Sequence, residues 1–180
     1  MEFTLSDLRK NNRHEPQKFD TTLDLKKTLT ERVPDEVLDL SPVAVSGLIS
    51  VESSGDALLY AKVKATLTVP STRSLVPVTL ACDFDFTEFY VDSKAALNRY
   101  DATDVVIVAE DGVIDLDTAV ADNLLLQIPM QVLSPEEQKA QTMPKGKGWE
   151  VTREGDESAD AQSVDPRLAK LKDFYKDSQS

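Results

Sequence analysis

The sequence predicts an α+β fold in which helices pack against a curved or barrel-like antiparallel sheet, built on one long hairpin at residues 57–90. Two observations predict the hairpin. Apolar and polar residues alternate along two neighbouring segments, which is the period of half-buried strands, and prolines at 70 and 77 enclose the connection, where strand pairing should stop. A third observation, apolar residues spaced three and four apart after residue 115, predicts a packed helix. The alternating apolar positions are Leu59, Ala61, Val63, Ala65, Leu67 and Val69, then Val78, Leu80, Cys82, Phe84 and Phe86, and the same alternation reaches Glu88.

The N-terminal residues predict two short strands and a helix. Apolar side chains between residues 3 and 8 indicate the first strand, and the polar segment 11–16 indicates a loop. The second strand is predicted at 19–23, followed by a helix that ends before Pro34, because the residue before proline disfavours the helical conformation. These predictions rest on Phe3, Leu5 and Leu8 for the first strand and on Leu25, Leu29 and Val33 for the helix.

Three consecutive strands at 43–52, 57–69 and 76–90 are predicted to form an antiparallel meander. Residues 53–56 contain two serines, a glycine and an aspartate, which indicate a turn between the first two strands.

The mostly polar residues at 92–104 indicate a loop with a helical turn, and an apolar run at 105–109 indicates a short strand before a turn at 110–112. A helix is then expected to begin with Asp115 as its N-cap and to end at Pro129. Its apolar face is predicted to consist of Leu116, Ala119, Val120 and Leu124, widened by Leu125, Leu126 and Ile128.

The remaining residues predict a strand-like segment at 129–133 and a short helix in which Ser134 caps, Pro135 opens and Glu137 completes a capping box. We therefore expect a single core domain at 1–134, a short helix with a flexible acidic linker at 135–164, and a C-terminal amphipathic helix at 165–180. The apolar stripe of that last helix suits either docking on its own domain or insertion into a partner's groove.

The composition predicts a soluble protein with an acidic surface. The chain has 180 residues, a net charge of −12 and no apolar run long enough to cross a membrane. Its first residues lack the layout of an export signal, so a cytoplasmic location is expected. A negative charge of this size opposes general adhesion to nucleic-acid phosphates and favours basic protein partners.

Catalytic chemistry finds little support in the sequence. The single histidine, His14, lies in a polar break and is expected to be exposed, and Cys82 falls on the apolar side of a strand, where an inert buried thiol is expected. Asp83 and Asp85 should share the wet face of that strand as solvated carboxylates. No glycine pattern of the phosphate-binding type occurs. We therefore expect neither an enzyme nor a resident metal or cofactor.

The hairpin connection resembles a known family. The segment VPSTRSLVPV at 69–78 is similar to the Cys-x-Arg-Cys-Leu signature of the YceD family, the large ribosomal RNA subunit accumulation proteins, with Arg73 and Leu75 in place. Ser71 and Ser74 stand where that signature has its cysteines, so the resemblance carries no metal site onto this chain. The acidic-to-apolar run at 114–137 and the closing segment DPRLAKLKDFY are also similar to the family.

The resemblance implies a non-enzymatic factor that supports large ribosomal subunit biogenesis and the accumulation of its RNA. Its expected partners are a basic large-subunit ribosomal protein and, locally, ribosomal RNA. Arg73 at the hairpin tip suits a phosphate or a carboxylate, or an ion pair within its own domain, while the lysines around Trp149 suit single-stranded RNA or an ordinary loop. The candidate contact residues are Ser71, Arg73, Ser74, Lys145, Lys147 and Trp149. A generic acidic adaptor or chaperone of basic proteins, and an enzyme without a recognisable motif, are the alternatives.

Overall fold

The long hairpin predicted from the alternation is the largest element of the fold. In a computed structural model, which describes residues 1–11, 15–139, 145–147 and 149–151, strand β5 (Ala57–Pro70) pairs antiparallel with β6 (Pro77–Val91). The ladder runs from Ala57 opposite Tyr90 to Pro70 opposite Pro77. Pairing therefore ends at the two prolines, as predicted, because neither has an N–H to continue it.

Six strands form the main sheet. Five follow the order β2, β4, β5, β6 and β7, and the sixth, the short β3, pairs with β5. Their bounds are β2 Gln17–Leu23, β3 Asp39–Leu40, β4 Val43–Val51 and β7 Val106–Val108. The described sheet has two open edges, β2 and β7, so it is not closed and the barrel-like form is not confirmed.

The predicted meander is confirmed, but the sheet is not wholly antiparallel as expected. Strand β7 pairs parallel with β6, with Phe89 opposite Val106 and Val91 opposite Val108. The loop after β6, which contains a 3₁₀-helix at Lys94–Arg99, is long enough to return the chain to the same end of the sheet.

The N-terminal strand is shorter than predicted, because Leu5 and Leu8 belong to a helix. Strand β1 (Glu2–Thr4) ends before helix α1 (Leu5–Asn11). A spacing of three places Leu5 and Leu8 on one helical face, and both are buried. The Thr4 hydroxyl lies 3.4 Å from the Asp7 backbone N–H and accepts its hydrogen bond at the start of α1.

Two of the predicted helices are present. Helix α2 (Lys26–Arg32) ends before Pro34, and helix α3 (Leu116–Leu126) begins at Asp115, whose carboxylate accepts from the Asp117 backbone N–H at 3.1 Å. The short strand β8 (Val113–Asp115), which leads into α3, pairs antiparallel with β1. Leu116, Ala119, Val120 and Leu124 are buried as predicted.

The wider apolar face predicted for α3 is wrong at Leu126, which is 78% exposed. Leu126 follows the buried Leu124 by two residues, about 200° around the helix, so it points away from the core. The helix also ends at Leu126, earlier than the predicted stop at Pro129.

One face of the sheet carries most of the core. Buried side chains alternate along β4 and β5, and Val45, Val63 and Leu59 are fully buried. Gly47 is required on β4 for a steric reason, because a Cβ there would lie 2.1 Å from the Tyr60 carbonyl oxygen and 2.8 Å from the Phe19 ring.

The segment 129–133 forms no strand, contrary to the prediction, and the predicted short helix follows it as α4 (Pro135–Lys139). Strands β9 (Lys145–Gly146) and β10 (Trp149–Glu150) pair antiparallel. Two compact units divide the chain, Met1–Pro135 and Glu136–Ser180.

His14, most of the predicted linker and the predicted C-terminal helix lie outside the described residues, so the division at 134, 164 and 180 stays a prediction. In the part of the chain that is described, no helix is both long and apolar enough to cross a membrane.

Candidate functional site

The tip of the β5–β6 hairpin is folded around Ser71, which is fully buried. Its hydroxyl accepts hydrogen bonds from the backbone N–H groups of Arg73 at 3.1 Å and Ser74 at 3.3 Å. Its backbone N–H donates to the Val76 carbonyl at 2.8 Å, and its carbonyl accepts from the Leu75 N–H at 3.1 Å. A serine that bonds the backbone two and three residues ahead is a local turn device, so Ser71 organises the loop.

A second segment braces the same tip. The backbone N–H of Thr72 donates to the Val132 carbonyl at 2.8 Å, and the Thr72 hydroxyl donates to that carbonyl at 2.9 Å. Val132 is itself buried. The segment 129–133, which the sequence pattern predicts to be a strand, thus joins no sheet. It instead anchors the hairpin tip through Val132.

The braced tip presents a cationic, a polar and an apolar side chain to solvent. Arg73 and Ser74 are exposed, and Leu75 is 72% exposed. The backbone of Leu75 has φ 62°, in the left-handed region that non-glycine residues rarely adopt. Strained backbone of this kind persists only when its surroundings enforce it, and it clusters at functional sites.

The structure separates the predicted contact residues into different settings. Arg73 and Ser74 lie on the exposed tip, whereas Ser71 lies beneath it and has no exposed surface. Lys147 is exposed in the turn between β9 and β10, and Lys145 and Trp149 are strand residues of that two-stranded ladder. The tip belongs to the first compact unit and the ladder to the second.

The two predictions for strand β6 are confirmed. Cys82 is buried, and desolvation raises the pKa of its thiol, which disfavours the reactive thiolate. Asp83 is on the exposed face, where a hydrogen bond from Lys64, with Nζ 2.9 Å from the carboxylate, lowers the pKa of its carboxyl group.

Sequence reasoning did not single out the buried carboxylate of Glu88, which is 5% exposed. Its two oxygens accept hydrogen bonds from the Tyr90 hydroxyl and from Asn123 Nδ2, both at 2.7 Å. Burial first, and then the hydrogen bond to Glu88, raises the pKa of the Tyr90 hydroxyl well above its usual range. The period of two along β6 already assigned position 88 to the inner face, and this was the available signal.

A second buried carboxylate, Asp56, supports the turn before β5. It accepts hydrogen bonds from Arg99 at 2.9 Å, from the Tyr100 hydroxyl at 2.8 Å and from the Ser54 hydroxyl at 2.8 Å. These three donors account for its burial, so we assign Asp56 to stability.

A cavity of about 470 Å³ beside β3 shows no arrangement typical of catalysis. Its polar lining consists mainly of threonine hydroxyls and the ion pair between Lys26 Nζ and Asp39, 2.8 Å apart. Within the residues that the structure describes, no set of three His, Cys, Asp or Glu side chains is placed to hold a metal ion.

These features define an α+β protein with an open six-stranded sheet and a braced hairpin tip that carries an arginine. Comparison with known proteins identifies its family. The family model described as large ribosomal RNA subunit accumulation protein YceD matches residues 59–175, more than half of the chain. The chain belongs to this YceD family.

One curated relative is similar over nearly the whole chain. The uncharacterized protein YlbN of Bacillus subtilis (strain 168) is 31% identical over 159 residues, which are 88% of this chain and 87% of the relative. No solved structure shows a significant match. The resemblance that the hairpin motif indicated is therefore confirmed, and it connects the chain with ribosome biogenesis and the accumulation of ribosomal RNA.

Proposed function

We propose that this protein is a non-enzymatic factor in large ribosomal subunit biogenesis, which supports accumulation of the large-subunit RNA by contacting a ribosomal protein, ribosomal RNA or both. Membership of the YceD family supports a role in this process. The observation that supports the contact mechanism is the hairpin tip. The buried Ser71 hydroxyl holds this loop in one conformation, and Arg73 is exposed on it. Ribosome assembly makes the cytoplasm its place of action.

Rigidity matters because a preorganised loop loses little conformational entropy when it binds. Two backbone amides bond Ser71 and two donors of Thr72 bond Val132, so the tip is ordered before any partner arrives. The guanidinium group of Arg73 offers planar, paired donors that match a phosphate or a carboxylate. Ser74 adds a hydroxyl beside it, and Leu75 adds apolar contact area.

The charge of the chain favours a basic protein as the main partner. With a net charge of −12, the chain as a whole repels the RNA backbone and attracts basic proteins. RNA contact is then local, at Arg73 and at the ladder residues Lys145, Lys147 and Trp149. Lysine near an aromatic ring suits a single-stranded segment, on which the ring can stack.

The decisive experiment is a ribosome profile on sucrose gradients from cells that lack the gene, with quantification of large-subunit RNA. We expect a deficit of large subunits and of their RNA, restored by the wild-type gene. Arg73→Ala should restore them incompletely, and Lys27→Ala, which removes an exposed cation far from the tip in sequence, should restore them fully. Normal subunit ratios and normal RNA in the deletion strain would refute the proposal.

The high negative charge also favours a second candidate, a general acidic adaptor or chaperone of basic proteins. That function predicts capture of many unrelated basic proteins, with affinity that falls steeply as salt is added, and normal ribosome profiles. Sustained turnover of a nucleotide or RNA by the purified protein would instead indicate an enzyme.

A further inference from the structure

Strand β7 leaves its outer edge unused by the described sheet, in which it is the last strand. Backbone hydrogen bonds join its other edge to β6. The Phe89 N–H donates to the Val105 carbonyl, and the Ala109 N–H donates to the Val91 carbonyl, each at 2.8 Å. Backbone groups of successive strand residues point alternately to the two sides. The N–H and C=O groups of Val106 and Val108 therefore face away from β6, where they can pair with another chain.

A cavity of about 200 Å³ lies beside this edge, between β6, β7 and the first half of α3. Ile107, which is opposite Tyr90 in the ladder, lines it and is 37% exposed. From α3, Thr118 and Asp122 also line it. Side chains of a strand added to β7 would alternate in direction, so every second one would lie on the face of the sheet that carries this cavity.

The lining of the cavity is acidic. Of the described residues, no lysine, arginine or histidine lines it. The carboxylates that do are those of Glu88, Glu110, Asp115 and Asp122. The cations that face these groups only partly offset them. Arg32 lies 2.5 Å from Asp122, and the terminal amino group of Met1 lies 3.9 Å from Asp115 and bonds mainly to Asp117.

We propose that the β7 edge binds an extended segment of a protein partner rich in lysine or arginine, which adds a strand to the sheet and places alternate basic side chains in the acidic cavity. The partner is a polypeptide because the backbone groups of Val106 and Val108, which no described residue pairs, match a strand, and because the carboxylates repel phosphate. The inference rests on the proposed function, in which the partner is a basic ribosomal protein, and it gives that contact a place and a recognition mode.

The test uses the full-length protein labelled with nitrogen-15 and two synthetic peptides of equal length, one alternating lysine with valine and one alternating glutamate with valine. We expect only the lysine peptide to bind. Binding should slow hydrogen exchange at the Val106 and Val108 amides, which are free in the edge, and should change the Ile107 amide less because it already faces β6. Binding of both peptides alike, or binding without added protection at these two amides, would overturn the proposal.

Matched variants locate the contact. Ile107→Lys puts an ammonium group of the protein's own into the cavity and should weaken binding of the lysine peptide about tenfold or more. Val105→Lys is the control, since Val105 is 54% exposed just before β7 and does not line the cavity. Thr118→Lys tests the lining that α3 contributes, and circular dichroism establishes that each variant is folded. Unchanged affinity in both cavity variants would contradict the inference.

Two further outcomes are informative. Strong protection of the Val106 and Val108 amides in the free full-length protein would show that the chain's own residues already cover the edge, and would refute binding of a partner there. If the deletion strain shows a ribosome defect that the Ile107→Lys protein corrects as fully as the wild type, that result would refute this inference while leaving the proposed function intact.

Discussion

The hydroxyl of Tyr90 donates a hydrogen bond of 2.7 Å to the carboxylate of Glu88, two residues earlier on the same face of β6. Both side chains are buried. The bond connects the sheet with α3, because the other oxygen of Glu88 accepts from Asn123. An acidic residue is thus held inside the fold by two neutral donors, beside the cavity that the β7 edge borders.

Removing this carboxylate should destabilise the fold. Glu88→Ala leaves two buried donors without an acceptor and should lower the free energy of unfolding by about 3 kcal/mol, whereas Tyr90→Phe removes one bond and should cost about 1 kcal/mol. Urea denaturation measures both. Asp85→Ala, on the exposed face of the same strand, is the control and should stay within about 0.5 kcal/mol of the wild type. A cost at Asp85 equal to that at Glu88 would contradict this account.

The two serines of the hairpin tip should differ in their contribution to stability. Ser71→Ala removes the acceptor for two backbone amides and should cost about 1–2 kcal/mol, with faster hydrogen exchange at the Arg73 and Ser74 amides. Ser74→Ala removes an exposed hydroxyl and should leave stability nearly unchanged. Equal stability of the two variants, measured by thermal unfolding, would show that the Ser71 hydroxyl does not organise the loop.

The backbone strain at Leu75 predicts a separation of stability from function. Leu75→Gly relieves a left-handed conformation and should leave stability unchanged or raise it by up to about 1 kcal/mol. The same change removes the exposed apolar side chain and should reduce complementation of the ribosome defect. Val76→Gly, next in the chain, has no such strain to relieve and should lower the melting temperature. A destabilised Leu75→Gly protein would argue against strain at this position.

Acid sensitivity should depend partly on the ion pair between Lys26 and Asp39. The side-chain hydrogen bond from Lys26, together with one from the Leu40 backbone N–H, lowers the pKa of Asp39 below its ordinary 3.8. The pair therefore stabilises the fold above the pKa of the unfolded chain, and this contribution is lost as the pH falls through the lower folded pKa.

Asp39→Asn should consequently lose less stability than the wild type when urea midpoints are compared between neutral pH and a pH below that range. Asp35→Asn, in the exposed turn nearby, should follow the wild-type curve. Identical curves for Asp39→Asn and the wild type would show that the ion pair does not contribute.

Local patterns predicted the elements whose boundaries have a local chemical cause. The prolines at 70 and 77 end the hairpin ladder, and Asp115 caps α3, because each effect acts within a few residues of the chain. The errors arose where period alone was ambiguous. Leu5 and Leu8 suit a short strand as well as a helix, and the pairing of β1 with β8, more than a hundred residues away, decided the boundary.

The candidate site divided in the same way. The sequence carried the motif from which the family was inferred, with Arg73 and Leu75 in place, and the match over residues 59–175 confirms that family. The burial of Ser71, by contrast, depends on how the loop closes over it. The bond from Thr72 to Val132 joins residues 60 positions apart, and no local pattern specifies it.

The sequence by itself determined the family, the alternating strands, the capped helix and the acidic charge, because these follow from residue identity and short-range spacing. Only the tertiary structure decided that β7 runs parallel at an open edge, that Glu88 is buried against Tyr90 and Asn123, and that Leu75 is held in a strained turn. Those features arise from contacts between distant parts of the chain, whose free energies exist only once the chain has folded.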